Sequence, residues 1–249
     1  MAEEFINERT KRCLELMKPE YRQLVDLDLD AKIAKSKEIM KEAIAKYPRM
    51  GLGFSGGTDS LVLLHLALPL YPTIPTVFVN TLDEFSETFT FIDKVKKEWK
   101  VNLTEVKAPE KRFDEFINNY GLKTPEFTKV CCDYHKITPM MKAIDDMKFD
   151  AFMVGLRGVE HEERAQEVFF SPRKTHMRVH PLLFWKQNDI LDYVKKFNIE
   201  CNPLYAQGYT SLGCIRCTSK NLDKNAHERS GRGEVREKIM KSLRDLGYT

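Results

Sequence analysis

The chain has 249 residues, with 40 Lys and Arg against 37 Asp and Glu and a formal net charge of +3. So small an imbalance gives no ground for a nucleic-acid or membrane-surface protein, and no run approaches the roughly 18 apolar residues of a membrane span. Hydrophobic content of 42% and charged content of 31% are those of a soluble globular enzyme with a large core. The start, Met1-Ala2-Glu3-Glu4-Phe5, is acidic and lacks a signal peptide's basic residues and apolar stretch, so a cytoplasmic location is expected.

Taken in order, residues 6 to 47 carry helical patterning in two pieces separated by Pro19. The second, Asp30 to Tyr47, spaces Ile33, Ile39, Met40, Ala43 and Ile44 as a helix does, with its charges on a solvated face. This reads as an N-terminal helical extension (1–47). Next, Met50 to Phe54 is a short apolar strand, and Leu61 to Leu68 a buried helix stopping at Pro69. Between them lies Phe54-Ser55-Gly56-Gly57-Thr58-Asp59-Ser60. A strand, a glycine turn and a helix N-terminus aim several backbone N–H groups at one anion. Gly56 and Gly57 allow close approach, and Ser55, Thr58 and Ser60 add hydroxyls. A Walker A loop would need a Lys followed by Ser or Thr, which is absent. Gly51-x-Gly53-x-x-Gly56 matches the dinucleotide fingerprint only formally, because its first two glycines fall within the strand.

Strand 74–80, helix 86–99, strand 101–106, helix 113–120, helix 134–147 and strand 151–154 follow. Their alternation predicts an α/β fold with a doubly wound, mostly parallel sheet, here spanning 48–200. Ligands of such sheets sit at the carboxyl ends of the strands, where the polar segments Ser55–Ser60, Thr81–Thr88 and Gly155–Arg164 fall. Residues 166–180 read as a hairpin or as a basic flap over the site, Arg173 to Arg178. Helix 187–197, a loop-rich stretch from Asn202 to Asn225 and a helix from Glu234 to Leu246 complete the chain, with 201–249 as a C-terminal loop and helix.

Six cysteines in such a compartment do not read as a disulfide framework. Cys13 and Cys201 stand alone, while Cys131-Cys132 and Cys214-x-x-Cys217 form two pairs. Four thiolates brought together suit zinc or an iron–sulfur cluster, although adjacent cysteines are awkward for a zinc knuckle. Arg157 and Arg164 are candidates to grip phosphate or sulfate oxygens bidentately, or else pair with Glu160, Glu162 or Glu163. His161 and His180 read as structural, and Phe184 and Trp185 as core.

Several motifs together resemble one family. Ser55-Gly-Gly-Thr-Asp-Ser60 reproduces the pyrophosphate loop of the adenine-nucleotide alpha hydrolases. Asn80-Thr81-Leu-Asp-Glu84, Cys131-Cys132-Asp-Tyr-His135-Lys136-x-x-Pro139 and Gly155-Leu-Arg157 follow. So do His180-Pro181, Asn202-Pro203-Leu204-Tyr205 and Gly208-Tyr209-Thr-Ser211-Leu-Gly213-Cys214-x-x-Cys217-Thr218. From about residue 50 to 218 the chain resembles the phosphoadenosine-phosphosulfate reductase group, which includes adenylylsulfate reductases and the ATP sulfurylase small subunit. The resemblance implies an adenine nucleotide, ATP or adenylylsulfate, bound by Ser55, Gly56, Gly57, Thr58, Asp59, Ser60, Thr81 and Gly155, with Mg²⁺. It also implies a 4Fe–4S cluster on Cys131, Cys132, Cys214 and Cys217, zinc being the alternative. Asp59, Lys136, Arg157 and Arg164 are the expected catalytic residues, Lys136 linking cluster and substrate.

Two departures shape the expected reaction. Reductases of this group attack sulfur with a cysteine in a C-terminal Glu-Cys-Gly-Leu-His type motif, and no cysteine follows Cys217 here. Reductases also commonly degrade the loop, which is intact here. The tail from Glu228 to Gly233 resembles the ending of the ATP sulfurylase small subunit. The leading expectation is therefore an ATP pyrophosphatase that adenylates a substrate for sulfur transfer, in which the cluster delivers sulfur or fixes loop 202–218. The alternatives are reduction of adenylylsulfate or its 3′-phospho form to sulfite with a thiol donor, and a redox-sensing nucleotide-binding partner subunit. A thiol or persulfide donor protein is an expected partner, a tRNA or DNA acceptor rests only on the basic 173–178 segment, and a homo-oligomer stays open.

Overall fold

The computed structural model describes residues 8–221 and 227–247. Helices α1 (Glu8–Leu16), α2 (Pro19–Arg22) and α3 (Leu29–Lys46) precede strand β1 (Met50–Gly53) and helix α4 (Thr58–Ala67). Then come β2 (Thr76–Asn80), α5 (Ser86–Glu98), β3 (Leu103–Lys107), α6 (Phe113–Tyr120), α7 (Pro125–Cys132), α8 (Thr138–Asp146) and β4 (Ala151–Met153). The remainder comprises α9 (Glu162–Ala165), the strands β5 (Phe170–Pro172) and β6 (Met177–Val179), α10 (Gln187–Lys196), α11 (Glu234–Lys238) and α12 (Met240–Asp245). No described helix is long and apolar enough to cross a membrane.

The six strands form one sheet in the order β3-β2-β1-β4-β6-β5, parallel except for β5 against β6. From β1 the chain winds outward through β2 and β3, then returns to place β4 on the other flank of β1. The winding direction reverses between β1 and β4, so the crevice at their carboxyl ends is the topological switch point where such sheets bind ligands. Leu52, Ala151, Met153, Leu61, Leu63 and Leu64 are fully buried beneath it. The core extends without interruption to α3 and α10 through Met40, Ala43, Trp185 and Tyr193.

Several expectations need correction. The helix following the glycine turn starts at Thr58, so Thr58, Asp59 and Ser60 already form its first turn. The predicted helix 134–147 is the π-helical turn Asp133–Ile137 followed by α8, and it continues directly from α7. Pro139 would clash with the carbonyl four residues back and cannot donate, and the widened turn absorbs both defects. Cys131 and Cys132 thus end α7 rather than precede a helix. Of the two readings of 166–180, the hairpin holds for residues 170–179 and the flap over the site does not. The second strand of the hairpin is buried in the sheet beside β4, with Arg178 inside the protein. The last helix breaks at Ile239 into α11 and α12. Residues 222–225 of the expected 202–225 loop lie outside the described residues.

The charged face of α3 is not wholly solvated either. Lys32 is fully buried and its ammonium donates to Asp189 Oδ2 at 2.5 Å. The same carboxylate accepts the Lys186 backbone N–H, capping α10. Truncating Asp189 to alanine removes the cap and leaves an uncompensated buried ammonium, so urea titration should record a loss of about 3–5 kcal/mol. His161 and His180 are both buried. His161 Nδ1 accepts from the Glu163 N–H, and Trp185 Nε1 donates to Ser36 Oγ at 2.9 Å inside the core.

Buried histidines also set the acid limit of the fold. Burial pushes His176 and His180 down to about 4, assisted by Arg178 and Arg173. Both are neutral when folded but take up a proton when unfolded below about 6.5. Their contribution is whole above that pH and is lost as pH falls toward 4. Glu237 is held at about 2: burial opposes ionisation, but Arg229 and Arg9 outweigh it, so its contribution persists above about 4.5 and fades below. The histidines should lower melting temperature as pH falls from about 6.5 toward 4. Asp59 gives an opposite slope, since its raised value removes stability as pH rises through about 7, and loss of Glu237 steepens the fall below about 4.5. Calorimetry across that range checks the shape, and a histidine-to-glutamine change at position 176 should soften the upper part.

Candidate nucleotide site and thiol cluster

Three segments meet at the switch point. Gly56 has φ of +76°, the left-handed region a Cβ disfavours, and its missing Cβ faces Thr88 of α5. Within the turn, Ser55 N–H donates to Ser60 Oγ at 3.1 Å, and Ser60 Oγ donates to the Gly57 carbonyl at 2.9 Å. On the opposite side Gly155, just after β4, lies so close to α4 that a Cβ would sit 2.8 Å from both Asp59 C and Ser60 N. That approach delivers Arg157 to the loop. Its Nε donates to Asp59 Oδ1 at 2.7 Å, and its Nη2 bonds Glu228 at 2.5 Å and pairs with Glu160 at 3.0 Å.

These groups line a cavity of about 480 Å³, whose walls also carry Lys136, Arg164, Arg229, Arg232 and Arg236. Arg164 pairs with Glu160, and Arg229 forks onto Glu237. Yet Arg157 Nη1, Arg164 Nε and Arg232 Nε are buried without an acceptor among the described residues. Buried donors without partners are costly, and all three belong to arginines of the cavity wall, where their positive charge would favour an anion. Electrostatics agree. Burial raises Asp59 to about 7, with Glu160 and Glu228 adding repulsion that Arg157 only partly offsets. Burial would raise Glu160 too, but Arg164, Arg157 and Arg229 hold it at about 2.

The four paired cysteines also come together. Cys131 is raised by burial and then by Cys132, Cys214 and Cys217, so all four lie within electrostatic reach. Burial likewise lifts Cys214 to about 12 and raises Cys217. No three Cys, His, Asp or Glu side chains among the described residues converge tightly enough for one metal ion. A zinc ion, with bonds of 2.3 Å, would need its sulfurs about 3.8 Å apart. A cuboidal iron–sulfur cluster holds its thiolates further apart, and its negative charge suits the cations here: Arg216 acts on Cys131 and Cys217, Lys136 on Cys214 and Arg236 on Cys217. Four thiols with Arg216, Lys136 and Arg236 beside them are a donor set compatible with such a cluster. Arg216 is fixed by Asp83, with Nε to Oδ2 at 2.9 Å, and lies 4.0 Å above the Phe113 ring.

Sequence comparison decides the family. The phosphoadenosine phosphosulfate reductase domain matches residues 49–220. The chain belongs to the phosphoadenosine phosphosulfate reductase family. Adenosine 5'-phosphosulfate reductase of Bacillus cereus (strain Q1) is 34% identical over 168 residues, 66% of this chain and 70% of that protein. The Staphylococcus epidermidis enzyme of the same name (strain ATCC 35984) is 30% identical over 214 residues, 83% and 86% of the two chains. Among solved structures, phosphoadenylyl-sulfate reductase from Candida auris superposes with a TM-score of 0.61 at 19% identity, covering 82% of this chain and 98% of that one. Candida glabrata FMN adenylyltransferase with FMN and an ATP analogue gives 0.63 at 17%, covering 97% and 92%. These two share the fold.

Within this family member, Ser55, Gly57, Thr58, Asp59, Ser60, Lys136, Gly155, Arg157 and Arg164 all border the one cavity. Thr81 does not: its hydroxyl donates to Glu84 Oε1 at 2.8 Å and contacts Cys214 Sγ at 3.2 Å, bridging strand end and thiol pair. Gly56 supports the turn from behind. Sequence reasoning missed Glu84, Tyr205, Glu228, Arg229 and Arg232 as wall residues. Arg232 reaches the cavity only because Gly213 has no side chain, since a Cβ there would meet its guanidinium. A Gly next to a candidate ligand cysteine was the available signal.

Proposed function

We propose that this family member holds an adenine nucleotide with its anionic tail between the Ser55–Ser60 turn and the arginine wall, and uses ATP to adenylate an acceptor for sulfur transfer. The observation that carries the reading is the intact Ser-Gly-Gly-Thr-Asp-Ser turn facing Arg157, whose Nη1 is buried without an acceptor. An acceptor oxygen would attack the α-phosphorus while the bond to pyrophosphate breaks. The turn's N–H groups and helix α4 would stabilise the departing charge, with Arg157 and Arg164 neutralising the oxygens. Sulfur would then displace AMP from the adenylate. Asp59, Glu84 and Glu228 are the carboxylates that a nucleotide-borne Mg²⁺ would meet, and a cation would offset the cost of burying ionised Asp59. Cys131, Cys132, Cys214 and Cys217 would hold a 4Fe–4S cluster, one thiolate to each iron, which would supply one-electron chemistry or fix loop 202–218. A persulfide or thiol donor protein would be the partner.

Sulfonucleotide reduction is the second reading, favoured by the adenosine 5'-phosphosulfate reductases at 30–35% identity. There a thiolate attacks sulfur, AMP leaves with the bonding pair, and a second thiol releases sulfite with formation of a disulfide. Cys201 lines the cavity, whereas Cys13 is wholly buried and too remote from solvent to take part. Burial raises Cys201, so its thiolate is scarce at neutral pH. Anaerobic assays with ATP and adenylylsulfate in parallel separate the readings. Pyrophosphate release that depends on a sulfur acceptor supports adenylation, and sulfite from adenylylsulfate plus dithiol without ATP replaces it with reduction. Iron and sulfide analysis tests the cluster, and Cys132→Ser should lose both elements with nucleotide binding retained.

A further inference from the structure

Tyr205 stands inside the anion-binding turn although it comes from a segment 147 residues further along the chain. Its hydroxyl oxygen accepts the Thr58 backbone N–H at 3.0 Å and lies 3.4 Å from Thr58 Oγ1. Gly57 makes the approach possible, since a Cβ there would sit 3.3 Å from the phenol oxygen. The oxygen thus receives from the turn the very donor a phosphate oxygen would otherwise take. Its own proton has no acceptor among the described residues, and the side chain borders the cavity.

The ring is held where it stands. Asn202, itself buried, donates to Thr88 Oγ1 at 3.2 Å and accepts the Leu204 N–H at 3.1 Å, which anchors the segment to α5. Beyond Tyr205, Gly208 turns the chain at φ of +94°, Tyr209 packs edge-on against Phe85, and Ile215 N–H donates to the Asp83 carbonyl at 2.7 Å. The segment is therefore tied down on both sides of the phenol, and a donor pre-set in this way binds an anion without a large ordering cost.

We infer that Tyr205 is a ligand for the anionic tail of the nucleotide: its hydroxyl, polarised by the Thr58 N–H, donates to a phosphoryl or sulfuryl oxygen. This deepens the nucleotide-site reading above and rests on it. A hydrogen bond to a charged oxygen is stronger than a neutral one, and the phenylalanine substitution removes only that oxygen.

Isothermal titration of ATP, inorganic pyrophosphate and adenosine into wild type and Tyr205→Phe provides the test. Wild type should bind ATP far more tightly than adenosine. The variant should lose about tenfold in affinity for ATP and pyrophosphate while its adenosine affinity stays the same. Equal affinities of the two proteins for ATP, or an equal loss for ATP and adenosine, overturns the inference and leaves the nucleotide site standing. Failure of wild type to bind any of the three overturns the site reading, and the inference with it. A matching melting temperature without ligand verifies that the variant is folded, and Tyr205→Trp, which fills the space without a hydroxyl in that position, should repeat the selective loss.

Discussion

Replacing Arg157 by alanine should lower the unfolding free energy by about 3–5 kcal/mol, because Asp59, Glu160 and Glu228 would be left facing one another around the vacated guanidinium. The residue is almost wholly buried, so water cannot substitute for it cheaply. Burial already raises Asp59 to about 7 while Arg157 is present. Without the cation, the carboxylates escape repulsion only by taking up protons. The penalty should therefore be larger at pH 8 than at pH 6, and urea titrations at both values check the sign. ATP affinity should collapse at either pH, since a guanidinium of the cavity wall disappears. A penalty that does not change with pH would mean that the carboxylates are not the source of the instability.

Gly155→Ala should be nearly as damaging, without altering any charge. The new methyl would sit 2.8 Å from Asp59 C and Ser60 N and 2.9 Å from Asp59 O. These are backbone atoms of the first turn of α4, and they cannot swing aside as a side chain would. The segment after β4 must retreat, carrying Arg157 away from Asp59. Overpacking of this kind costs about 1–3 kcal/mol, and a displacement approaching 1 Å at a reacting site costs on the order of a hundredfold in turnover. Gly233 is the control: no atom lies within 4 Å of its missing Cβ, so Gly233→Ala should leave turnover unchanged.

The way these residues come together explains what the amino-acid order could and could not reveal. Strand β1, the turn and α4 are contiguous, so their chemistry is written within a dozen residues. The alternation of strands and helices likewise carries the parallel sheet, and the two cysteine pairs stand out by spacing alone. Arg157 was visible because a polar segment follows an apolar strand at the expected edge. Tyr205, Glu228 and Arg232 were not, because each reaches the site through a loop without periodicity. The pairing of Lys32 with Asp189 was hidden for a different reason: both stand on helices, and on α3 the lysine occupies a position that composition assigns to solvent. The π-helical turn after Cys132 reflects a conflict between helical pattern and Pro139 that only the three-dimensional backbone resolves. The hairpin at 170–179 turned inward because its β-branched and apolar residues complete the sheet beside β4, which outweighs the surface preference of its arginines.

One placement decides the function: the anionic tail of an adenine nucleotide lying between the Ser55–Ser60 turn and the arginine wall. A diffraction structure with a non-hydrolysable ATP analogue measures it directly. The predicted result is phosphate oxygens in hydrogen-bond contact with the N–H groups of the turn and with Arg157 Nη1. A nucleotide whose phosphates point away from the turn, or which binds outside this cavity, would contradict it.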